Sequence, residues 1–434
     1  MFGKSNLKAA AVVAIPSVGV IIAAVLPFGA PPACTPDDGG LRLAEGYCAV
    51  VVASELEAPR QIALGSRGVV YAALSNAKAE GGVIALRDIN GDGKADDRQI
   101  WGPAGANDVE VRDGYLYLAS KDRILRWKLA PEGMKPAGEA ETVVAGLPGD
   151  RSHAWKSLTF GRGDTMFVNI GSPSNSCQQQ DRTPRSPGAM PCEELETRAG
   201  IWAFSATKLN QSQKDGVRYA TGLRNAMAIA IEPSTHRLYA AVHGRDQLSA
   251  NWGFSDEYNA ENPGEEFGPV ERNDDFGWPY CYYSHEASAK VLAPEYGGDG
   301  KKTERCASAK LPAVAFPGHW APMAIAFTGS APVGEGYADG VFLAFHGSWN
   351  RAPLQQAGFR VVFQPLKDGK PSGAYKTFAI GRENETAMRP TGIAIDREGA
   401  VYIAGDRNGT VWKVVKRTER TERTERTERT ERGR

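Results

Sequence analysis

The segment Asn225–Gly244, "NAMAIAIEPSTHRLYAAVHG", decides the fold. Its first half alternates as a buried strand does, "EPST" carries turn chemistry, and "RLYAAV" returns as a second apolar run. That is a hairpin, and the phrase recurs. "RQIALGSRGVVYAAL" begins at Arg60, "NDVEVRDGYLYLAS" at Asn107 and "KSLTFGRGDTMFVNIGS" at Lys156. "APMAIAFTGS…DGVFLAFHGS" begins at Ala321 and "PTGIAIDREGAVYIAGD" at Pro390. Further strands such as "RILRWKL", "GIWAFSA", "FRVVFQPL" and "TVWKVV" lie between most of these. One face of each unit cannot be buried alone, so stacking the units around an axis builds the core. Six copies predict an all-β fold, a six-bladed β-propeller over 45–415, in preference to a sandwich of two sheets. The long gaps, above all 243–320, become loops on one face, where binding sites usually sit.

Composition sets the outer limits. The chain has 434 residues, 42% hydrophobic and 24% charged, with 49 glycines and 27 prolines, which suits many turns and short strands. Its 51 basic and 51 acidic residues cancel, so neither nucleic acid nor an acidic lipid surface is an expected partner. The N-terminus (1–33) has Lys4 and Lys8 ahead of a stretch, 9–36, without charge. It reads as an export signal, with an N-terminal membrane anchor as the rival, and places the body in the periplasm or outside the cell. Six cysteines agree with export, and short loops in an oxidising compartment favour the pairs 34–48, 177–192 and 281–306. The last segment, 416–434, repeats Thr-Glu-Arg without an apolar residue and reads as a disordered tail.

Two groups of residues carry chemistry. "DINGDGKADD" sets Asp88, Asn90, Asp92 and Asp96 at alternating positions around Gly93. It is either a structural calcium loop or an Asx-rich hairpin turn, since Gln99 stands where a bidentate glutamate would close the site. The second group is dispersed. His153, Arg224, Asn225, His319 and Arg389 all stand just before the innermost strand of a unit. In a propeller those positions line one mouth of the central channel. Distant polar residues are therefore expected to converge there.

The ordered set "SHAWKSLTFG", "NIGSPSNSC", "YATGLRNAMAIAI", "HGRDQL", "DDFGWPYC", "GHWAP", "HGSWNR" and "RPTGIAID" resembles the glucose/sorbosone dehydrogenase family. These are exported quinoproteins that use pyrroloquinoline quinone on a six-bladed propeller. The resemblance implies an oxidoreductase acting on an aldose or a sorbosone-type sugar. His153 would be the general base and Arg224 would stabilise charge developing on the quinone oxygen. Asn225 would bond the quinone edge, with His319, Arg389 and either Asn350 or Arg351 as further cofactor contacts. The backbone carbonyls of Gly244 and Arg245 would hold a catalytic calcium ion. Ser172 stands where the glucose branch has an acidic residue that orients the base, so Ser172 or another group must do so here. Selectivity would lie in the 177–200 and 250–320 loops, including Trp252, Trp278 and Tyr280, and the electron acceptor is not legible. The rivals are a non-catalytic binding propeller and a calcium-dependent lactonase. The channel-mouth residues are mainly His and Arg, which speaks against the lactonase, whose metal needs carboxylates and amides.

Overall fold

The computed structural model describes residues 33–76, 80–131 and 134–417. The expected N-terminal signal or anchor and the Thr-Glu-Arg repeat lie outside these residues. The regular secondary structure of the described chain is almost entirely antiparallel strand, with two short α-helices, Leu248–Trp252 and Asp256–Glu261. Among the described residues no helix is long and apolar enough to cross a membrane.

Six sheets form the blades of a propeller. Blade 1 runs Pro59–Leu64, Val70–Leu74, Glu80–Arg87, Asp97–Pro103, and blade 2 runs Asp108–Arg112, Tyr115–Ala119, Ile124–Lys128, Glu141–Val144. Blade 3 contains Leu158–Phe160, Thr165–Ile170, Gly200–Ser205 and Val217–Thr221. Blade 4 contains Ala228–Ile231, Leu238–Val242, Glu265–Val270 and Val314–Phe316. Blade 5 begins with Pro322–Phe327, Gly340–Phe345, Arg360–Lys367 and Lys376–Gly381, then takes Leu41–Leu43 as a fifth strand. Blade 6 is built from Pro390–Ile395, Val401–Gly405 and Thr410–Lys416, and the N-terminal strand Tyr47–Ala53 supplies its outer edge. The ring is thus sealed by strands from both ends of the described chain.

The decisive segment folds as expected. Ala228–Ile231 pairs with Leu238–Val242. The Glu232 carboxylate holds the turn by accepting from the amides and hydroxyls of Ser234 and Thr235. Packing between blades then makes the core. One apolar cluster joins blades 1 and 2 (Ala85, Trp127), and others join 2 and 3 (Tyr117, Phe204), 3 and 4 (Phe167, Ile229) and 4 and 5 (Phe267, Leu343). Two more join blades 5 and 6 (Phe342, Trp412) and blades 6 and 1 (Tyr402, Ile84), which completes the circle. Each such buried aromatic or aliphatic side chain contributes roughly 1.5–3 kcal/mol. The centre is narrow. Gln61 of blade 1 donates to the Met323 carbonyl of blade 5, passing blade 6. A Cβ at Gly392 of blade 6 would meet the Arg60 carbonyl at 2.3 Å, so only glycine fits there.

One backbone hydrogen bond recurs at the same end of four blades. The residue after the second strand donates its N–H to a carbonyl just ahead of the first: Ser75 to Ala58, His243 to Asn225, His346 to Ala321 and Asp406 to Arg389. These eight residues therefore share one face of the ring. The 88–96 loop follows a third strand and lies at the other end of blade 1.

Candidate active site

His153 is held in a left-handed conformation at φ 50°, a strained state that non-glycine residues adopt only when their surroundings impose it. Its Nδ1 lies 2.8 Å from the Ser172 carbonyl and 3.0 Å from the Ser172 hydroxyl oxygen. A carbonyl can only accept, so Nδ1 carries the proton and Nε2 keeps its lone pair. The hydroxyl of Ser172 donates onward to the Ser174 carbonyl at 2.7 Å, which leaves its oxygen free to accept from His153. Ser172 is fully buried and orients the imidazole in place of a carboxylate. The neighbouring Gly171 permits the approach, since a Cβ there would lie 2.6 Å from the His153 Cβ. Burial, and then the Arg224 charge, push the imidazole well below its ordinary pKa, so it is neutral and able to accept a proton at neutral pH.

Arg224 is almost completely enclosed. Its Nε donates to the Asn175 carbonyl (3.0 Å), Nη1 to the Gly244 carbonyl (2.7 Å), and Nη2 to Asn175 Oδ1 and Asp246 Oδ2 (3.0 Å each). Four of five N–H groups are used, and one Nη1 hydrogen remains. The backbone carbonyl of Arg224 accepts from Ser172 N–H at 2.7 Å, which ties this arginine to the histidine. Asn225 accepts on Oδ1 from Asn169, and its amide nitrogen bonds no described residue.

Asp246, part of "HGRDQL" but given no role by the sequence alone, is the hub. Besides Arg224 it accepts from Arg182 Nη2 (2.9 Å) and from Asn350 Nδ2 (2.6 Å), and His319 Nδ1 lies 3.7 Å away. Burial opposes its ionisation, but Arg224, His319 and Arg182 outweigh that and hold its carboxyl well below the usual range. His319 donates Nε2–H to the Asn259 carbonyl at 2.8 Å and is buried. The two alternatives from "HGSWNR" part company here. Asn350 points to Asp246 and leaves its own Oδ1 buried without a partner among the described residues. Arg351 instead turns to the Ala260 and Gly318 carbonyls and to Glu261.

Across the channel a second cluster joins blades 1, 5 and 6. Asp406 takes Arg60 Nη1 at 3.0 Å and His346 Nε2 at 2.9 Å, and Arg389 Nη2 reaches His346 Nδ1 at 2.9 Å. Arg389 Nε is buried and finds no acceptor among the described residues. His243, with Nε2–H on the Pro322 carbonyl, senses both His346 and Arg224 and so stands between the clusters. His153, Arg224, Asn225, His319, Asn350 and Arg389 are thereby drawn to one mouth.

The long loops form a cap over the Arg224 side. Asn175 bonds Asp246 through both its amide atoms, and its carbonyl takes Trp278 Nε1 at 3.0 Å. Glu295 collects Arg245, Ser176 and Trp252. Cys192 N–H donates to the Tyr280 hydroxyl. The polar tips of Trp252, Trp278 and Tyr280 therefore tie cap loops together. The disulfides Cys177–Cys192 and Cys281–Cys306 staple this cap, and Cys34–Cys48 staples the N-terminal strand, in the pairing expected from spacing. On the opposite face, Asp88, Asn90, Asp92 and Asp96 accept from amides of their own loop, as at Asp88 Oδ1 from Gly91 and Asp96 Oδ2 from Ile89. Among the described residues the one group of three metal-type side chains is Cys177, Cys192 and Glu194, whose cysteines are oxidised.

A six-bladed ring with a histidine–arginine well at one mouth of its axis defines an axial-site propeller. The chain belongs to the TrAA12-like family, which it matches over residues 41–418. It is 26% identical over 433 residues to the pyrroloquinoline quinone-dependent pyranose dehydrogenase of Coprinopsis cinerea, covering 87% of this chain. This chain spans only 54% of the length of that relative. The holo quinone domain of the C. cinerea pyranose dehydrogenase superposes with a TM-score of 0.72 at 20% identity, over 87% of this chain and 97% of that one. The calcium structure of a Trichoderma reesei family AA12 enzyme gives 0.72 at 16% identity, over 87% and 97%.

Proposed function

We propose that this protein is an exported dehydrogenase that binds pyrroloquinoline quinone at the channel mouth and oxidises an aldose or sorbosone-type sugar. The observation that carries the reading is His153, neutral and fixed by Ser172 with its Nε2 lone pair uncommitted, beside the enclosed cation of Arg224. The donor set suits a planar tricarboxylate. Among the described residues Arg389 has a buried Nε–H without an acceptor, Arg224 keeps one Nη1 hydrogen, and Asn225 keeps its amide nitrogen. The quinone, when bound, supplies a two-electron acceptor for hydride. His153 Nε2 takes the proton of the sugar hydroxyl and Ser172 holds the imidazole through the change of charge. Arg224, clamped at four donors, needs no reorganisation to stabilise negative charge near its remaining hydrogen.

Calcium enters this reading through the Gly244 and Arg245 carbonyls, which would supply two oxygens while the cofactor supplies others. The Gly244 carbonyl already accepts from Arg224 and has a second lone pair to offer. The 88–96 loop is a separate candidate for a structural ion. The test is reconstitution of metal-free apoprotein with quinone, with and without calcium, followed by dye-linked oxidation across aldoses and ketoaldoses. Quinone-dependent turnover of at least one sugar supports the reading. Absence of both turnover and any spectral change of the quinone on mixing defeats it.

A further inference from the structure

Arg389 is poised by a relay whose far end is a carboxylate just past the next strand, Val401–Gly405. Both carboxylate oxygens of Asp406 face His346 Nε2, Oδ2 at 2.9 Å and Oδ1 at 3.0 Å, so that nitrogen carries the proton. The opposite nitrogen, Nδ1, has the Gly347 carbonyl at 3.2 Å and Arg389 Nη2 at 2.9 Å; a guanidinium can only donate, so the neutral ring accepts from Arg389 there and leaves the longer carbonyl contact unbonded. Asp406 thus selects the tautomer, and the tautomer fixes one arm of the guanidinium. The other edge, Nε, is left buried and unbonded among the described residues. An unsatisfied buried N–H costs roughly 1–3 kcal/mol, which a ligand oxygen would recover. Arg60 completes the group, with Nη1 on Asp406 and Nε on Asn107 Oδ1 at 3.2 Å. Blades 1, 5 and 6 contribute to one small net-cationic seat: two guanidinium groups, one carboxylate and a neutral imidazole.

We propose that Asp406 and His346 are positioning residues that aim the Nε edge of Arg389 into the channel as a seat for a carboxylate of the bound ligand, with Arg60 holding Asp406 in place. This rests on the dehydrogenase reading only for the identity of the ligand, a planar polycarboxylate. The alternative role for Asp406 is a simple counter-charge. The two roles differ in sign. If Asp406 only neutralises the well, Asp406→Asn makes the site more cationic and anions bind more tightly. If it positions Arg389, the same change frees the imidazole tautomer and anions bind more weakly.

The probe is pyrroloquinoline quinone titrated into the full chain and followed by quenching of tryptophan fluorescence, which needs no turnover. Asp406→Asn and His346→Leu are each expected to weaken binding by about ten- to a hundredfold, the value of one charge-assisted hydrogen bond. The double variant adds little to either, because both act through Arg389. His346→Gln, whose amide can accept from Arg389 and donate to Asp406, recovers part of the loss and serves where Asp406→Asn fails to fold. The trimethyl ester of the quinone binds more weakly and is indifferent to these substitutions. Tighter or unchanged binding in Asp406→Asn, or additive losses in the double variant, overturns the proposal. Absence of binding by the unsubstituted protein defeats the dehydrogenase reading instead.

Discussion

Arg224 and Arg389 stand one residue apart in phase, in blades 4 and 6, and the protein treats them oppositely. Arg224 is sunk beneath a disulfide-stapled cap, with four donors used and Asp246 as a buried counter-ion. Arg389 is half-buried, held at one nitrogen by a neutral histidine, and its Nε finds no acceptor among the described residues. The first is part of the wall and the second is part of the grip. A buried ion pair is seldom a net gain in stability, but breaking one by removing a single partner is costly. The rigid side of the well can therefore fix charge in space, while the under-bonded side can meet a ligand.

The largest expected effect breaks the wall. Arg224→Ala leaves Asp246 ionised and short of its main partner, and should cost about 3–5 kcal/mol in urea unfolding. Arg389→Ala should stay within about 1 kcal/mol of the parent in the same assay while losing quinone affinity. Equal destabilisation by the two substitutions would erase the contrast. His153→Ala comes next, with kcat lowered by about 10²–10⁴ and quinone binding retained in a fluorescence titration. A parallel loss of binding would mean that the imidazole is structural.

Acid should strike the Arg224 side as well. Burial drives His243 from 6.5 down to about 4. A depressed imidazole pKa means that the fold favours the neutral ring. That contribution is complete above pH 6.5 and is lost as pH falls towards 4. Across this window the parent should lose about 2 kcal/mol more than His243→Gln, measured as urea midpoints. Glu265, whose carboxylate accepts from Gly244 and Ala321 amides, has the opposite sign. Burial lifts it from 4.5 to about 7, so its contribution is present below 4.5 and is lost as pH rises through 7. The smallest effect belongs to the far face, away from both arginines. Asp96→Ala removes the acceptor of the 88–96 turn and should cost about 1 kcal/mol without changing quinone affinity.

The ring was legible because each hairpin declares itself locally, as "MAIAI" and "RLYAAV" do around their turn. Channel-mouth positions followed from the phase of those hairpins, which is how Arg224, Asn225 and Arg389 could be named. What was not legible is pairing across the ring. Arg60 and Asp406 are 346 positions apart and meet at 3.0 Å, and neither has a local signature. Asp246 sits in a loop whose course is set by Asn175, on the cap from another blade. Arg351 carried the obvious charge in "HGSWNR", yet the Ala260 and Gly318 carbonyls and Glu261 drew it away and left Asn350 at the well. The histidine tautomers depend on single carbonyl or carboxylate partners that only coordinates reveal.

The sealing of blade 6 by Tyr47–Ala53 has a consequence for biosynthesis. The partner of that strand, Thr410–Lys416, is made only after five further blades have left the ribosome. Until Thr410–Lys416 emerges, Tyr47–Ala53 keeps an open edge, and the apolar face between blades 6 and 1 has nothing to rest on. The chain must consequently be shielded while those five blades are made, and a nascent product stopped short of Thr410 should be degraded or aggregate as an unclosed arc.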